Sequence, residues 1–375
     1  MIPVCKPWLP GKEKEYVNDA LDTNWISSSG KYIERFEEEF SKFCGVNYGV
    51  SCSSGFGALH LACAALDLKK GDEIIVPTFT MAACTNAVIM TGATPVLVDS
   101  DKKTYCIDVK KIEEKITSKT KAIMPVHIYG HCCDMDTILE LAEKYNLFVI
   151  EDCAEAHGAE YKGKKAGSIG DIGCFSFYAN KILTTGEGGM CVTNNLELAE
   201  KMKSFRNHCL KTGKERFLHE NVGFNYRLTN IQAAIGTAQM ENAEKLVEAR
   251  RNVMIRYNKE LEGVENLILP VEKAYVKNVC WMYGVVLSDE IEKSREEVIQ
   301  NLREAGVDTR SFFVPMHKQP VYFNKTVENA PDCSGDFPVA DRIGERGFYL
   351  PSSSDITDEE IKIVCNALKK IISEK

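Results

Sequence analysis

The hydrophobic residues of the chain fall into short runs of valine, isoleucine and leucine that alternate with longer segments of helical periodicity. The runs are too short for helices and suit strands. Apolar runs without polar alternation are typical of strands buried on both faces, as in a parallel sheet covered by helices. We therefore predict an α/β fold with a mostly parallel central sheet, whose strands span residues 73–77, 94–99, 121–126, 147–152, 172–177 and 189–193.

Helical periodicity marks the segments before and between these strands. Phe36, Phe40 and Phe43 recur at the spacing of one helix face. A polar loop over residues 23–32 precedes them and carries one large aromatic residue, Trp25. Further helices are predicted over residues 11–22, 81–90 and 135–145, and one more ends near residue 66.

The last third of the chain has a different pattern, which predicts a second, smaller domain. Thr229 and Gln232 fit a capping box, and the segment they open predicts one long helix that reaches residue 261. We assign residues 1–245 to a large domain and 246–375 to a small α+β domain. In the small domain we predict strands at 281–287 and 307–313, helices at 295–305 and 358–372, and loops at 315–320 and 324–338.

Composition narrows the classes of function. The net charge is −8, and no dense basic patch is present to bind a nucleic acid. No apolar run approaches the roughly 20 residues that span a membrane, and no signal peptide is visible, so we expect a cytoplasmic protein. The 15 cysteines lack a C-x-x-C pair, which favours buried thiols over disulfides or a metal site.

Candidate chemistry lies where the predicted strands end, because ligands of such sheets bind beyond the carboxyl ends of strands. Asp99, His127 and Asp152 end strands, and Lys181 lies in a glycine-rich loop after another. A partly desolvated lysine becomes a nucleophilic amine that can form a Schiff base. Pyridoxal phosphate needs such a lysine, a carboxylate for its ring nitrogen and an anion cradle, for which Ser54-Gly55 at a helix start is a candidate.

Motifs spread over nearly the whole chain make the pattern specific. They lie at residues 11–17, 25–28, 120–130, 149–156, 175–177, 184–190, 223–236, 309–310 and 315–317. With these motifs the chain resembles the DegT–StrS family of nucleotide-sugar aminotransferases, which are fold type I pyridoxal-phosphate enzymes.

The resemblance implies roles around the cofactor. Lys181 would carry the cofactor as a Schiff base and then shuttle a proton. Asp152 would pair with the pyridine nitrogen, and Glu155 would lie near the 3-hydroxyl group. Ser176 would contact the phosphate together with backbone groups of Gly55 and Phe56.

The resemblance also implies a homodimer with a shared active site. Asn225 corresponds to a phosphate contact from the neighbouring subunit. Arg227 is a candidate for contacts at the same edge, with the substrate diphosphate among them. Trp25, His317 and Arg310 are further candidates for substrate contacts, with structural roles as the alternative for each.

Two positions depart from the family pattern. Phe56 stands where relatives carry a threonine that binds phosphate, and Met81 stands where they carry an aromatic residue that stacks on the pyridine ring. A thioether packs on a ring but lacks a flat π surface. We expect weaker cofactor retention, and Phe56 and Phe79 stay alternatives for the stacking residue.

The implied reaction moves an amino group from glutamate to C4 of a nucleotide-linked 4-keto-6-deoxyhexose. GDP-4-keto-6-deoxymannose is the expected substrate, with UDP- or dTDP-4-keto-6-deoxyglucose as the alternative. A sugar dehydratase of the same fold would carry histidine in place of Lys181. A non-catalytic relative is the third reading, which an intact Lys181 and Asp152 oppose.

Overall fold

The computed structural model describes residues 1–211 and 217–374. The helices are α1 Glu13–Asp22, α2 Lys31–Cys44, α3 Gly55–Ala65, α4 Ala82–Met90, α5 Met135–Tyr145, α6 Leu196–Arg206, α7 Asn230–Met240, α8 Ala243–Glu260, α9 Arg295–Glu304, α10 Pro320–Phe323, α11 Pro338–Arg346 and α12 Asp358–Ser373. The strands are β1 Tyr48–Cys52, β2 Glu73–Pro77, β3 Thr94–Val98, β4 Thr120–Ile123, β5 Phe148–Asp152, β6 Glu160–Tyr161, β7 Lys164–Lys165, β8 Ile172–Ser176, β9 Gly189–Thr193, β10 Leu267–Ile268, β11 Val276–Lys277, β12 Tyr283–Leu287, β13 Arg310–Ser311 and β14 Gly347–Leu350.

The large central sheet has seven strands in the order β1-β9-β8-β5-β4-β2-β3. Strands β8, β5, β4, β2 and β3 run parallel to one another, whereas β9 runs antiparallel to both β8 and β1. The buried apolar runs that predicted these strands explain why helices cover the sheet. The α/β class and the mostly parallel sheet are therefore confirmed.

A second sheet of four antiparallel strands, β10-β12-β14-β13, lies in the C-terminal part of the chain. It packs with α8, α9 and α12 around an apolar cluster of its own. The predicted boundary at residue 245 falls inside α8, and the division into two domains stays a prediction. Among the described residues, no helix is both long and apolar enough to cross a membrane.

The long helix predicted from Thr229 to residue 261 is wrong. The capping box at Thr229 is present, but α7 ends at Met240 and α8 begins at Ala243. Asn242 leaves helical geometry at φ −119°, and its side-chain amide donates to the Ala238 carbonyl. The Glu241 carboxylate is bound by side chains of other helices, which fixes the bend.

The structure also differs from the prediction in several short elements. The strand predicted at 307–313 is shorter in the structure, where β13 pairs with β14 at two residues and Val307 forms an isolated bridge with Ile2. The sequence reading missed α11 and β14, which follow the predicted loop at 324–338, and it also missed α6. Strand β14 spans four residues and α11 spans nine, so each offers few positions from which a pattern can be read.

An aromatic cluster supports the end of β8, directly before the loop that carries Lys181. Phe40 of α2 meets Phe175 and Phe177 edge-on, with ring centroids 4.8 and 5.0 Å apart. His157 packs against the same two rings at 5.4 and 5.3 Å. Edge-to-face packing of buried rings is favourable and directional, so the cluster fixes where β8 ends.

We expect Phe40→Ala to lower the free energy of unfolding by about 3–5 kcal/mol, because a fully buried ring is removed from this cluster. Urea denaturation followed by circular dichroism measures the change. The control is Phe323→Ala, since this ring is 68% exposed and its loss should cost about 0.5 kcal/mol or less. Equal effects of the two substitutions would contradict the importance of the cluster.

Candidate active site

A cavity of about 340 Å³ opens at the carboxyl ends of β5 and β8. The N-terminal ends of α3 and α4 form one side of it, and Trp281 and Phe313 from the C-terminal part of the chain close the other. Its lining residues are Ser54, Gly55, Phe56, Leu59, Thr80, Met81, Ala83, Val126, Asp152, Ala154, Glu155, Ser176, Tyr178, Asn180, Lys181, Glu187, Trp281 and Phe313. The sequence-predicted cofactor residues Lys181, Asp152, Glu155, Ser176, Gly55, Phe56 and Met81 therefore share one cavity.

Lys181 lies in the loop after β8, where its backbone N–H closes a turn on the Tyr178 carbonyl at 2.9 Å. Its Nζ atom lies 3.6 Å from the centre of the Trp281 ring and 3.9 Å from Glu155 Oε1. Burial lowers the pKa of Lys181, although the charges of Glu155 and Asp152 act in the opposite direction. A lower pKa makes the free amine, which is the nucleophilic form, more accessible.

Glu155 is buried beside Lys181 and is held by the backbone. The Tyr129 N–H donates to its Oε2 atom at 2.7 Å. Burial raises the pKa of Glu155 to about 7, against the opposing effect of the Lys181 ammonium. The carboxyl group can therefore exchange a proton near neutral pH.

Asp152 ends β5 with its carboxylate held at both oxygens. Oδ1 accepts a hydrogen bond from the Ala154 N–H at 2.9 Å, and Oδ2 accepts one from the Cys84 thiol at 2.9 Å. The side chain is buried and lines the cavity. Such a carboxylate can hold a protonated pyridine nitrogen.

The N-terminus of α3 forms a cradle for an anion. Ser54 caps this helix by accepting a hydrogen bond from the Gly57 N–H at 3.1 Å. The N–H groups of Gly55 and Phe56 lie in the first turn, where a helix offers them no carbonyl acceptor, so they can donate to an anion. A Cβ atom on Gly55 would lie only 2.5 Å from Ser176 Cβ, so glycine lets the Ser176 hydroxyl approach the helix start. The amine, the carboxylate and the anion cradle fit pyridoxal phosphate.

The two positions that depart from the family pattern both line the cavity. Met81 precedes α4 and is 56% exposed, and Phe56 lies in the first turn of α3. Phe79 is buried among Tyr129 and Phe312, outside the lining, so it is the weaker alternative for a stacking residue. The choice between Met81 and Phe56 stays open.

Other predicted site residues lie outside this cavity. Trp25 is exposed beside a separate groove. Arg227 donates to Asn207 Oδ1 at 2.7 Å, and Asn225 is exposed on the same segment. Arg310 pairs with Asp308, and His317 bonds Thr78 Oγ1 and Asp341 Oδ1, each at 2.8 Å. Within their own chain these five candidates are not brought to Lys181.

His127 and Asp99, the other candidates predicted at strand ends, both form hydrogen bonds within the fold. His127 is buried with Nε2 2.9 Å from Glu151 Oε2, while its Nδ1 accepts from the Cys133 N–H. Asp99 accepts from the Ala340 N–H at 2.9 Å in the first turn of α11. His127, Glu151 and Cys153 lie close enough to hold a metal ion, but the Glu151 oxygens already accept bonds from three backbone N–H groups.

Sequence reasoning missed three residues that shape the cavity. Trp281 donates its indole N–H to the Asn180 carbonyl at 2.8 Å, and its own carbonyl accepts from the buried Arg250 guanidinium. Cys84, which donates to Asp152, follows Met81 by one helical turn, and this spacing could have placed it near the predicted cofactor site. Trp281 and Arg250 carried no such signal, because the burial of Arg250 in α8 is visible only in the structure.

Comparison with known proteins agrees with this geometry. Residues 9–369 match the DegT/DnrJ/EryC1/StrS aminotransferase family. The chain is 45% identical over 374 residues to the GDP-perosamine synthase of Escherichia coli O157:H7, covering 100% of this chain and 99% of the relative. It is 45% identical over 372 residues to the GDP-perosamine synthase of Caulobacter vibrioides, covering 99% and 98%.

A solved structure gives the same result for the fold and the cofactor. The putative sugar aminotransferase Spr1654 from Streptococcus pneumoniae, in its PLP form, superimposes with a TM-score of 0.90 at 26% identity, covering 99% of this chain and 98% of that one. Aminotransferases of this kind depend on pyridoxal phosphate, and the cavity around Lys181 holds the groups which that cofactor requires. The chain belongs to the DegT/DnrJ/EryC1/StrS aminotransferase family.

Proposed function

We propose that this enzyme transfers an amino group from glutamate to C4 of GDP-4-keto-6-deoxymannose and so forms GDP-perosamine. The observation that carries the proposal is the buried Lys181 amine beside the Glu155 carboxylate, in a cavity that Asp152 also lines. The chain is also 45% identical from end to end to two GDP-perosamine synthases. The lysine itself argues against a dehydratase of the same fold. The intact cavity argues against a non-catalytic relative.

The predicted cofactor residues of the cavity each have a part in the proposed reaction. Bound pyridoxal phosphate supplies an electron-withdrawing ring that stabilises negative charge on the carbon bearing the amino group. Lys181 attaches the cofactor and, once free, holds and returns the proton at Nζ. Asp152 keeps the ring nitrogen protonated, and Ser176 with the start of α3 binds the phosphate. Glu155 lies near the 3-hydroxyl group and also holds the lysine ammonium.

The proposed enzyme is a homodimer whose two subunits share each active site. Asn225 is exposed and lies outside the cavity of its own chain, as expected of a residue that reaches the partner. Leu218 and Val222, a few residues before it, are 56% and 89% exposed. Apolar side chains at that exposure suit a surface covered by a second copy, and Arg227 on the same segment would then face the substrate diphosphate.

The setting of the reaction follows from the same proposal. A nucleotide-linked amino sugar is a donor for glycan assembly, and we place the product in lipopolysaccharide O-antigen biosynthesis with the enzyme in the cytoplasm. Trp25, His317 and Arg310 stay candidates for substrate contacts, and His317 and Arg310 also have partners within the chain.

We expect Lys181→Ala to lower amino transfer from glutamate by roughly a thousand-fold or more, because one amine serves as both the attachment point and the proton carrier. The assay offers GDP-, UDP- and dTDP-linked 4-keto-6-deoxy sugars and identifies the amino sugar by mass spectrometry. Lys370→Ala, at a 78% exposed side chain, is the matched control.

The outcomes of this assay test the proposed reaction and the proposed nucleotide separately. Turnover of the GDP-linked sugar supports it as stated. Product from only the UDP- or dTDP-linked sugar would support an aminotransferase but would contradict GDP as the nucleotide of the substrate. Cofactor-loaded enzyme that aminates none of the three would overturn the proposed reaction.

The shared site predicts complementation between two inactive variants. A mixture of Lys181→Ala and Asn225→Ala chains should recover up to about a quarter of the wild-type activity, because each mixed dimer contains one intact site. Lys181→Ala mixed with Asp152→Asn is the control, since both residues line the cavity of one chain and no intact site can form. No recovery in the first mixture, with mixed dimers present, would count against the role of Asn225.

The Glu155 carboxyl should make the stability of the cofactor-free protein depend on pH. Since its pKa is raised to about 7 from the usual 4.5, the folded state binds more protons than the unfolded state between these values. The free energy of unfolding should therefore fall as pH rises from about 4.5 to 7, by up to about 1.4 kcal/mol per unit.

Urea denaturation at several pH values tests this dependence. Glu155→Gln should flatten the slope in that window, because the amide does not titrate. Glu187→Gln, an exposed carboxylate at the mouth of the same cavity, should leave it unchanged. An equal slope in wild type and Glu155→Gln would show that another group is responsible.

A further inference from the structure

Behind the cavity wall, a buried cysteine is hydrogen-bonded to the carboxylate proposed to hold the ring nitrogen. Cys84 Sγ lies 2.9 Å from Asp152 Oδ2, and the thiol is fully buried in the first turn of α4. Thr80 Oγ1 lies 3.2 Å from the same sulfur. The three side chains form a chain of contacts from the end of β2 to the end of β5.

The direction of these hydrogen bonds follows from the chemistry of the groups. An ionised carboxylate only accepts, so the Cys84 S–H donates to Asp152 and the Thr80 hydroxyl donates to the sulfur. Burial and the neighbouring Asp152 charge raise the pKa of Cys84, which keeps the thiol protonated. Because the Ala154 N–H holds the other oxygen, the carboxylate is fixed on both sides.

A thiol in this place differs from a hydroxyl in one useful way. A strong donor stabilises the ionised form of a carboxylate and lowers its affinity for a proton. A thiol is a weak donor. It orients the carboxylate while leaving most of the negative charge available for a cationic partner.

We propose that Cys84 is a positioning residue, which orients Asp152 toward the cavity and preserves its attraction for the protonated ring nitrogen of the cofactor. The inference rests on the proposed role of Asp152. It predicts that the hydrogen-bond donor at position 84, rather than the volume of the side chain, controls cofactor affinity. It also predicts that the strength of this donor sets the pH at which the ring nitrogen loses its proton.

The experiment uses the holoenzyme as wild type, Cys84→Ala, Cys84→Ser, Asp152→Asn and Cys365→Ala. The last removes an equally buried thiol from α12, in the other apolar cluster. One readout is the dissociation constant of pyridoxal phosphate from equilibrium dialysis. The other is the resonance of ¹⁵N in the labelled pyridine ring as a function of pH, which reports its protonation directly.

We expect Cys84→Ala to weaken cofactor binding about 3- to 10-fold, as for the loss of one hydrogen bond. Cys84→Ser should recover part of that affinity, because a donor to Asp152 returns, and it should lose the ring proton at a lower pH than wild type. Cys365→Ala should match wild type in both readouts.

The remaining outcomes overturn the inference. If Cys84→Ala matches Cys365→Ala while Asp152→Asn changes the ring resonance, Cys84 has no positioning role. If Cys84→Ser fails as Cys84→Ala does, size and not hydrogen bonding matters. If Asp152→Asn leaves the resonance unchanged, the role of Asp152 itself is wrong. Should Cys84→Ala fail to fold, the ring titration of Cys84→Ser alone decides.

Discussion

The burial of one amine is the constraint on which the site depends. Desolvation disfavours the charged form of Lys181, so the protein must either neutralise that amine or surround it with compensating charge. The protein combines compensating charge with a shift of the amine toward its neutral form. Glu155 and the face of Trp281 lie against Nζ, and the Asp152 charge lies further along the cavity, while burial still lowers the pKa of the lysine. The result is an amine that is held in place and is also reactive.

The scaffold explains how these groups meet although they are distant in sequence. Parallel strands β5 and β8 bring Asp152 and the Lys181 loop to one edge of the sheet, and the starts of α3 and α4 point at the same edge. The sheet supplies positions, the helix starts supply N–H donors, and the C-terminal part supplies the aromatic wall. Catalytic groups on rigid strand ends need little reorganisation when a ligand enters.

The sequence predicted the features that local patterns encode. Strands 73–77 and 189–193 and helix 135–145 match the structure to the residue, because apolar runs and helix periodicity are read over short windows. Pairings over long separations were not predictable, and nothing near Lys181 in the sequence indicates Trp281. Cys84 lies one helical turn after Met81, but the sequence does not show that its thiol meets Asp152. His317 and Arg310 belong to matching blocks, and their roles toward a substrate stay predictions. Within the chain His317 bonds Thr78 and Asp341, and Arg310 pairs with Asp308.

The reversed strand β9 has a consequence for how the site assembles. Because β9 runs back along β8, Lys181 lies in a hairpin connection over residues 177–188, whereas the other neighbours of β8 and β5 are joined by long crossovers. Closing a short loop costs little chain entropy, and contacts of low sequence separation form early in folding. The lysine loop can therefore take shape from local pairing, whereas Trp281 must dock from a hundred positions away along the chain. We expect the loop of Lys181 to form before Trp281 packs over it during folding.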